Sequence, residues 1–309
     1  MTNLTTRSSQ HAAEDAAQKY LPEACTKAKT NVLDIEIDAL DMTVALKRIG
    51  HHLQTGEKGY ICVAGVHGVM EAQGDPGLRA AYAGSALTVP DGMPLVWVGR
   101  LQGNSAMGRV AGPDLMLRVF AEPAFSTVTH FLYGGDIGVV EELRARLQQR
   151  FPSARIVGVY TPPFRDLTLG EEHNLIATIR KLKPQVIWVG IGCPRQELFM
   201  ARYLPLFETT LIFGVGAAFD YHTGRIRDSA QWVKTAGLQW LHRLMQDPRR
   251  LWRRYLFKNP AFVWKITLQL LGLRRSRKVS QASPCTPCTA MRHAPETQQH
   301  HADIRMTLP

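Results

Sequence analysis

Long apolar runs are missing from this chain. The longest near its end, Ile266–Leu273, is far shorter than the roughly 20 residues a membrane span requires, so any membrane contact is expected to be peripheral. Residues 1–30 are polar and mixed in charge, without the apolar segment of a signal peptide, and read as a disordered leader. Cysteine is scarce: five residues, odd in number and scattered through 309, argue against a disulfide framework and for a reducing cytosol. Cys285 and Cys288 form a CxxC within a Ser/Pro/Thr/His/Gln-rich tail, but no strand precedes it and no helix follows. That stretch, 279–309, reads as a disordered tail rather than a redox or metal site.

The familiar catalytic fingerprints are absent too. The first strand of the central region ends in Val63-Ala64-Gly65-Val66-His67 instead of GxGxxG, which removes the grounds for a dinucleotide-dependent oxidoreductase. A Walker loop, an HExxH helix, a GxSxG elbow and paired Cys/His metal spacing are also lacking, so no metal ligands and no cofactor are assigned. Asp34 and Glu36 imitate a DxD pair only nominally, inside the strand-like run Val32–Ile37, and read as an exposed strand face.

Acids are nearly missing from residues 240–278, where eleven Lys/Arg face one carboxylate, Asp247. Almost all of the chain's net charge of +11 therefore lies there. Trp240, Leu241, Leu244, Trp252, Tyr255, Phe257, Phe262 and Trp264 alternate with Arg243, Arg249, Arg250, Arg253 and Arg254. Such a segment joins an apolar face to an anion-seeking one, and suits a membrane surface or a phosphate-bearing ligand. Arg-rich helices also bind nucleic acid, but the rest of the chain is near neutral and this segment is rich in Trp and Leu, so no nucleic-acid partner is expected.

What is present in quantity is alternation of strand and helix. Strands are expected at Gly59–Ala64, Ala86–Val89, Thr129–Tyr133, Arg155–Val159, Gln185–Val189 and Thr210–Phe213. Helix-like stretches lie between them, for example Leu78–Ala83, Gly112–Phe120, Gly138–Phe151, Gly170–Leu182 and Pro194–Leu204. The fold class is thus α/β: a Rossmann-like, mostly parallel sheet with helices on both faces, plus a basic α-helical C-terminal appendage. The expected division is a leader over 1–30, an α/β core over 31–239, the appendage over 240–278 and a tail over 279–309.

Three strands run directly into glycine: Tyr133 into Gly134-Gly135, Val189 into Gly190-Ile191-Gly192, and Phe213 into Gly214-Val215-Gly216. Small residues at strand carboxyl ends let a ligand's phosphate approach the backbone. Polar residues flank these ends. Asp91, in Val89-Pro90-Asp91-Gly92-Met93, either caps the following helix or points into the crevice. Arg109 and Asp114 lie in GRVAGPDLM (108–116), Arg109 free to reach a phosphate and Asp114 in an early helical turn. Gln196 and Glu197 lie in VGIGCPRQE (189–197) and Asp220 in GVGAAFDYHTG (214–224), where both acids have ordinary explanations as helix-turn or loop carboxylates.

The ordered blocks PDGMPLVW (90–97), RVAGPDLM (109–116), VGIGCPRQE, GVGAAFD and GLQWLHRLMQDPRRLWRRYLFKNPAF (237–262) closely resemble the WecG/TagA/CpsF family of bacterial glycosyltransferases over roughly residues 32–264. The resemblance implies an inverting hexosyltransferase that moves sugar from a UDP-sugar donor to a sugar on polyprenyl diphosphate, peripheral to the cytoplasmic face of the inner membrane. It implies Asp91 as general base and Arg109, Gln196 and Asp220 as pocket residues. Arg243, Arg250 and Arg253 become arginines of an appendage that closes over the site at an anionic membrane surface.

Departures from the family pattern concern the donor. Val63-Ala64-Gly65 stands where many members carry Thr-x-Asn, Gln239 where Glu is usual, and Asp247 in place of the Glu before Pro248. The first of these puts the donor sugar in doubt, and the other two are milder; TPPF (161–164) and PDGMPLVW (90–97) resemble the exopolysaccharide branch, which favours a hexose such as glucose over N-acetylmannosamine. The rival expectation is a catalytically inactive, membrane-associated UDP-binding scaffold of the same fold.

Overall fold

A computed structural model describes residues 28–274. Residues 1–27 of the expected leader and the whole tail, with Cys285 and Cys288, lie outside the described residues; the end of the expected leader is corrected, because Lys29 and Thr30 stand in the first strand.

A two-stranded hairpin comes first: β1 (Lys29–Val32) and β2 (Ile35–Asp38) pair antiparallel with Val32 opposite Ile35. Leu33 and Asp34 form its turn with φ of 53° and 69°, both left-handed, and Asp34 N–H donates to Asn31 Oδ1 at 3.0 Å. The single strand-like run expected over Val32–Ile37 is therefore corrected: a turn breaks it after Val32. Asp34 is not on a strand face at all, but pairs with Arg274 at 3.0 Å. Asp38 joins the hairpin to the main sheet by accepting from Thr88 N–H at 2.7 Å.

Six strands form that sheet: β3 (Gly59–Ala64), β4 (Leu87–Pro90), β5 (Thr129–Gly134), β6 (Arg155–Tyr160), β7 (Val186–Gly190) and β8 (Leu211–Gly214). Their order is β4-β3-β8-β7-β5-β6 and every pairing is parallel. The helices between and around them are α1 (Met42–Thr55), α2 (Val66–Glu71), α3 (Pro76–Ala83), α4 (Met93–Leu101), α5 (Gly112–Ala121), α6 (Val139–Arg150), α7 (Leu169–Leu182), α8 (Arg195–Tyr203) and α9 (Ala218–His222). Three more close the described chain: α10 (Gln231–Thr235), α11 (Gln239–Gln246) and α12 (Pro248–Leu270).

Buried parallel strands read as apolar runs because both faces are covered. Alternate residues enter opposite cores. Tyr60, Cys62, Phe131, Tyr133, Ile187, Val189 and Ile212 pack on one face with α3, α4, α7 and α8. Ile61, Leu132, Trp188, Leu211 and Phe213 pack on the other with α1, α5, α6 and α9. Phe262 and Ile266 of α12 belong to the first cluster, so the appendage is packed into the core rather than lying beside it. Its carboxyl end clamps the hairpin turn: Gln269 Oε1 accepts from Leu33 N–H at 2.7 Å, and Arg274 reaches Asp34 and Gln73.

The crossover from β3 to β4 leaves in one direction and that from β5 to β6 in the other, with β8 and β7 between. The crevice of a parallel sheet opens where connections diverge in this way. Close packing there explains two of the glycines. Gly134 has φ of 134°, and a Cβ on it would stand 2.6 Å from the Gly190 carbonyl oxygen; a Cβ on Gly190 would meet the Phe219 ring at 2.9 Å.

Candidate active site

A cavity of about 960 Å³ fills that crevice. Its floor is the strand tips: Val63 near the end of β3 and Gly65 just after it, Gly135 and Asp136 after β5, Gly190 at the end of β7 with Ile191 to Cys193 beyond it, and Gly214 at the end of β8 with Val215 to Ala217 beyond it. Helices α11 and α12 form a roof. Asp91, Arg109, Gln196, Asp220, Arg243 and Arg250 all line this one cavity.

Asp91 follows the last residue of β4, and its N–H donates to the Ala64 carbonyl at 2.8 Å, which ties it to the end of β3. The N-cap of α4 is Gly92, and no side chain caps that helix. Of the two roles open to Asp91 from the sequence, the structure takes the crevice. Loss of solvation pushes its carboxyl above the usual value, opposed by Arg109 and Arg243 and, more weakly, by Arg254. A carboxylate raised in this way and facing a cavity is suited to accept a proton from a hydroxyl.

Arg109 is not free, contrary to the expectation from sequence. Nε donates to the Asp91 main-chain carbonyl at 2.7 Å and Nη2 to Gln239 Oε1 at 2.7 Å, while Asp114, in the first turn of α5, stands 3.5 Å from Nη1. Its role here is to join three segments of the wall.

Gln196, 3% exposed, donates through Nε2 to Glu197 Oε1 and to the Gly214 carbonyl. Its Oε1 is buried without a partner and lies 3.5 Å from where a Cβ on Gly216 would be, an acceptor left for a ligand at the β8 tip. Glu197 is fully buried, and burial raises its carboxyl above the usual value; nothing local announces this, because its place in the first turn of α8 looks like any solvated helix start. Asp220 lines the opposite wall. Desolvation and then Asp136 raise it, against Arg250, Arg225 and Arg243.

Beside Arg109, Arg195 and Lys234, the appendage adds further cations to the lining. Arg243 lies over the Tyr221 ring at 5.6 Å, and Arg250 pairs with Asp247 at 2.6 Å. Arg253 does not join them: it is exposed, stacks on Trp252 and does not line the cavity. Its neighbour Arg254 does, with Nε buried and unpartnered. The signal was available in the helical period, since at 100° per residue Arg254 falls at the edge of the face bearing Leu251, Tyr255, Phe262 and Ile266, whereas Arg253 falls behind it. Among the described residues no group of three or more His, Cys, Asp or Glu could hold a metal ion, and no helix is long and apolar enough to cross a membrane.

A model of the glycosyl transferase WecG/TagA/CpsF family matches residues 30–276, which spans every element of this site. The chain belongs to that family. Relatives include the N-acetylglucosaminyldiphosphoundecaprenol N-acetyl-beta-D-mannosaminyltransferase of Bacillus spizizenii strain W23, 27% identical over 205 residues that cover 66% of this chain and 77% of the relative. The enzyme of the same name from Bacillus subtilis strain 168 is 27% identical over 200 residues, 65% of this chain and 74% of the relative. The glycosyltransferase expected from the five sequence blocks is thus matched at the level of the family.

Proposed function

We propose that this glycosyltransferase moves a hexosyl group from a UDP-sugar onto a hydroxyl of a sugar carried on polyprenyl diphosphate, with inversion and without a metal ion. The supporting observation is Asp91: a carboxylate not used as a cap, facing a cavity walled by Arg109, Arg243, Arg250 and Arg254. Asp91 takes the proton of the acceptor hydroxyl as its oxygen bonds to the anomeric carbon. The bond from that carbon to the UDP diphosphate breaks, and Arg243 and Arg250 receive the charge on the leaving group. Gln196 Oε1 accepts a hydrogen bond from the donor. Residues 31–239 act as the catalytic core and 240–278 as the appendage that meets an anionic membrane at its cytoplasmic face.

The relatives' names support the acceptor class, since both use a sugar diphosphate on undecaprenol and transfer N-acetylmannosamine. In this chain Val63 and Gly65 put no hydroxyl or amide on the wall beside Asp91. We therefore assign a hexose such as glucose as donor sugar and exopolysaccharide as product, with N-acetylmannosamine as the competing donor. The test is a transfer assay with synthetic sugar-diphosphate-lipid acceptors and a panel of UDP-sugars, read by mass spectrometry. One donor giving one mass increment names the reaction. UDP binding with no transfer from any pair would favour the inactive scaffold instead.

A further inference from the structure

Gln196 and Glu197 are consecutive in the first turn of α8, and consecutive side chains on a helix diverge by about 100°. These two nevertheless meet. Gln196 Nε2 donates to Glu197 Oε1 at 3.0 Å, and its second proton goes to the Gly214 carbonyl at 3.1 Å. With both amide protons spent on these acceptors, the amide has one orientation left, and its oxygen is turned away from both. That oxygen has no partner among the described residues. Gly214 and Gly216 make room for the arrangement, since a Cβ on the first would stand 3.1 Å from Nε2 and on the second 3.5 Å from Oε1.

Glu197 is fully buried, and its Oε2 is unpartnered too. A buried carboxylate with an unused oxygen is costly for folding, and the other inward residues of α8, Phe199, Met200 and Tyr203, are of the kind that a packing position calls for. What an acid adds here is an acceptor for Gln196. An apolar residue in its place would release one amide proton and leave the Gly214 carbonyl to hold the amide by a single bond.

The chemistry of Gln196 Oε1 also narrows what it meets. The glycine-bearing tip of β8 lets a diphosphate approach main-chain N–H groups, but a diphosphate at neutral pH offers no proton to a carbonyl oxygen. The group that meets this oxygen therefore carries an O–H or an N–H.

We propose that Glu197 is a positioning residue that fixes the Gln196 amide with its oxygen toward the cavity, and that this oxygen selects an O–H or N–H of the nucleotide sugar over its phosphates. The assignment rests on the transfer reaction given above and adds the residue that orients the pocket amide and the kind of group the amide reads.

The test is calorimetric titration of the full chain with UDP and with UDP-glucose, read in binding and not in turnover. Gln196→Met and Glu197→Met should each weaken UDP-glucose by roughly 3- to 10-fold, the size of one hydrogen bond. Their double variant should stay within about twofold of Gln196→Met, because Glu197 then has nothing to orient. Glu197→Gln keeps an acceptor oxygen and should bind within about twofold of the parent. A contact to the sugar would spare UDP, and a contact to the uridine would weaken UDP equally; either result supports the proposal and locates the group. If Glu197→Met alone does not fold, the double variant, which leaves no amide proton unpartnered, carries the same comparison with Gln196→Met. Parent-like binding of both ligands in Gln196→Met or in Glu197→Met would overturn the proposal, as would a double variant in which the two losses multiply, or a Glu197→Gln variant as weak as Glu197→Met. A parent chain that binds neither ligand would overturn this assignment together with the donor class, whereas binding without sugar transfer in the mass-spectrometric assay would sink the transfer reading alone.

Discussion

Arg109 donates from Nη2 to Gln239 Oε1 at 2.7 Å, and thereby fastens the segment that carries Asp91 to the first turn of α11. The same guanidinium donates through Nε to the Asp91 carbonyl, so one planar group holds the base-bearing backbone and the roof at a fixed separation. Lysine offers a point charge and cannot make this fork. Arg109→Lys is expected to lower kcat/KM by about 10- to 100-fold, the range in which small misplacements of catalytic groups fall. Gln239→Glu keeps the acceptor oxygen and turns the link into an ion pair, so activity should be retained or rise, whereas Gln239→Ala should follow Arg109→Lys. Steady-state kinetics on the three variants decides; activity in Gln239→Ala equal to the parent would show that the link does not position the base.

Asp91→Asn keeps the size and removes the basic oxygen. Turnover should fall by roughly 10²- to 10⁴-fold, the usual contribution of a positioned general base, with UDP affinity nearly unchanged. Burial raises the Asp91 carboxyl. The active carboxylate form is therefore lost as pH falls at a higher pH than an ordinary aspartate would show, and the acid limb of the kcat/KM profile should lie above the usual aspartate range. A profile flat down to the ordinary value, or unchanged turnover in Asp91→Asn, would remove this residue from the chemistry.

The alternating sheet and the glycine-ended strands were legible in sequence because a parallel sheet covered on both faces writes itself as short apolar runs spaced by helical periods. The hairpin was not. Val32 through Ile37 looks continuous because Leu33 and Asp34 carry no glycine or asparagine to announce left-handed geometry, and their turn is held from a distance by Gln269 and Arg274. Long-range partners of that kind leave no local trace. The same applies to Glu197, whose burial follows from what packs over α8, and to Arg109, whose ties to Asp91 and Gln239 span 18 and 130 residues. The exchange of Arg253 for Arg254 on the cavity wall was readable, since it needs only the helical period.

The outward side of α12 carries Trp252, Phe257 and Trp264, respectively 41, 66 and 66% exposed, beside the exposed Arg253. None of the three aromatics lines the cavity. Aromatic rings next to basic groups favour the interface of an anionic bilayer, where each basic group adds about 1 kcal/mol. Replacing all three rings by serine should abolish pelleting with anionic liposomes while the thermal midpoint and UDP affinity stay close to the parent. Undiminished pelleting would place the membrane contact elsewhere on the chain.

His130 makes a prediction for acid stability. It is 2% exposed, and its Nδ1 accepts from Trp188 Nε1 at 3.2 Å, so the folded state holds a neutral ring. Burial pushes its pKa down to about 3. The unfolded chain takes up a proton near 6.5, so in the window from about 6.5 down to about 3 the unfolded state binds more protons and stability is lost as pH falls, on the order of a few kcal/mol at most. His130→Phe abolishes this titration but orphans the Trp188 N–H, at a cost of about 1–3 kcal/mol. The variant should therefore be less stable than the parent at pH 7, and the gap should narrow steadily as denaturation is repeated at pH 5 and pH 4. A gap that stays constant over that range would mean that His130 is protonated in the folded protein as readily as in the unfolded chain, against what its burial and its bond from Trp188 require.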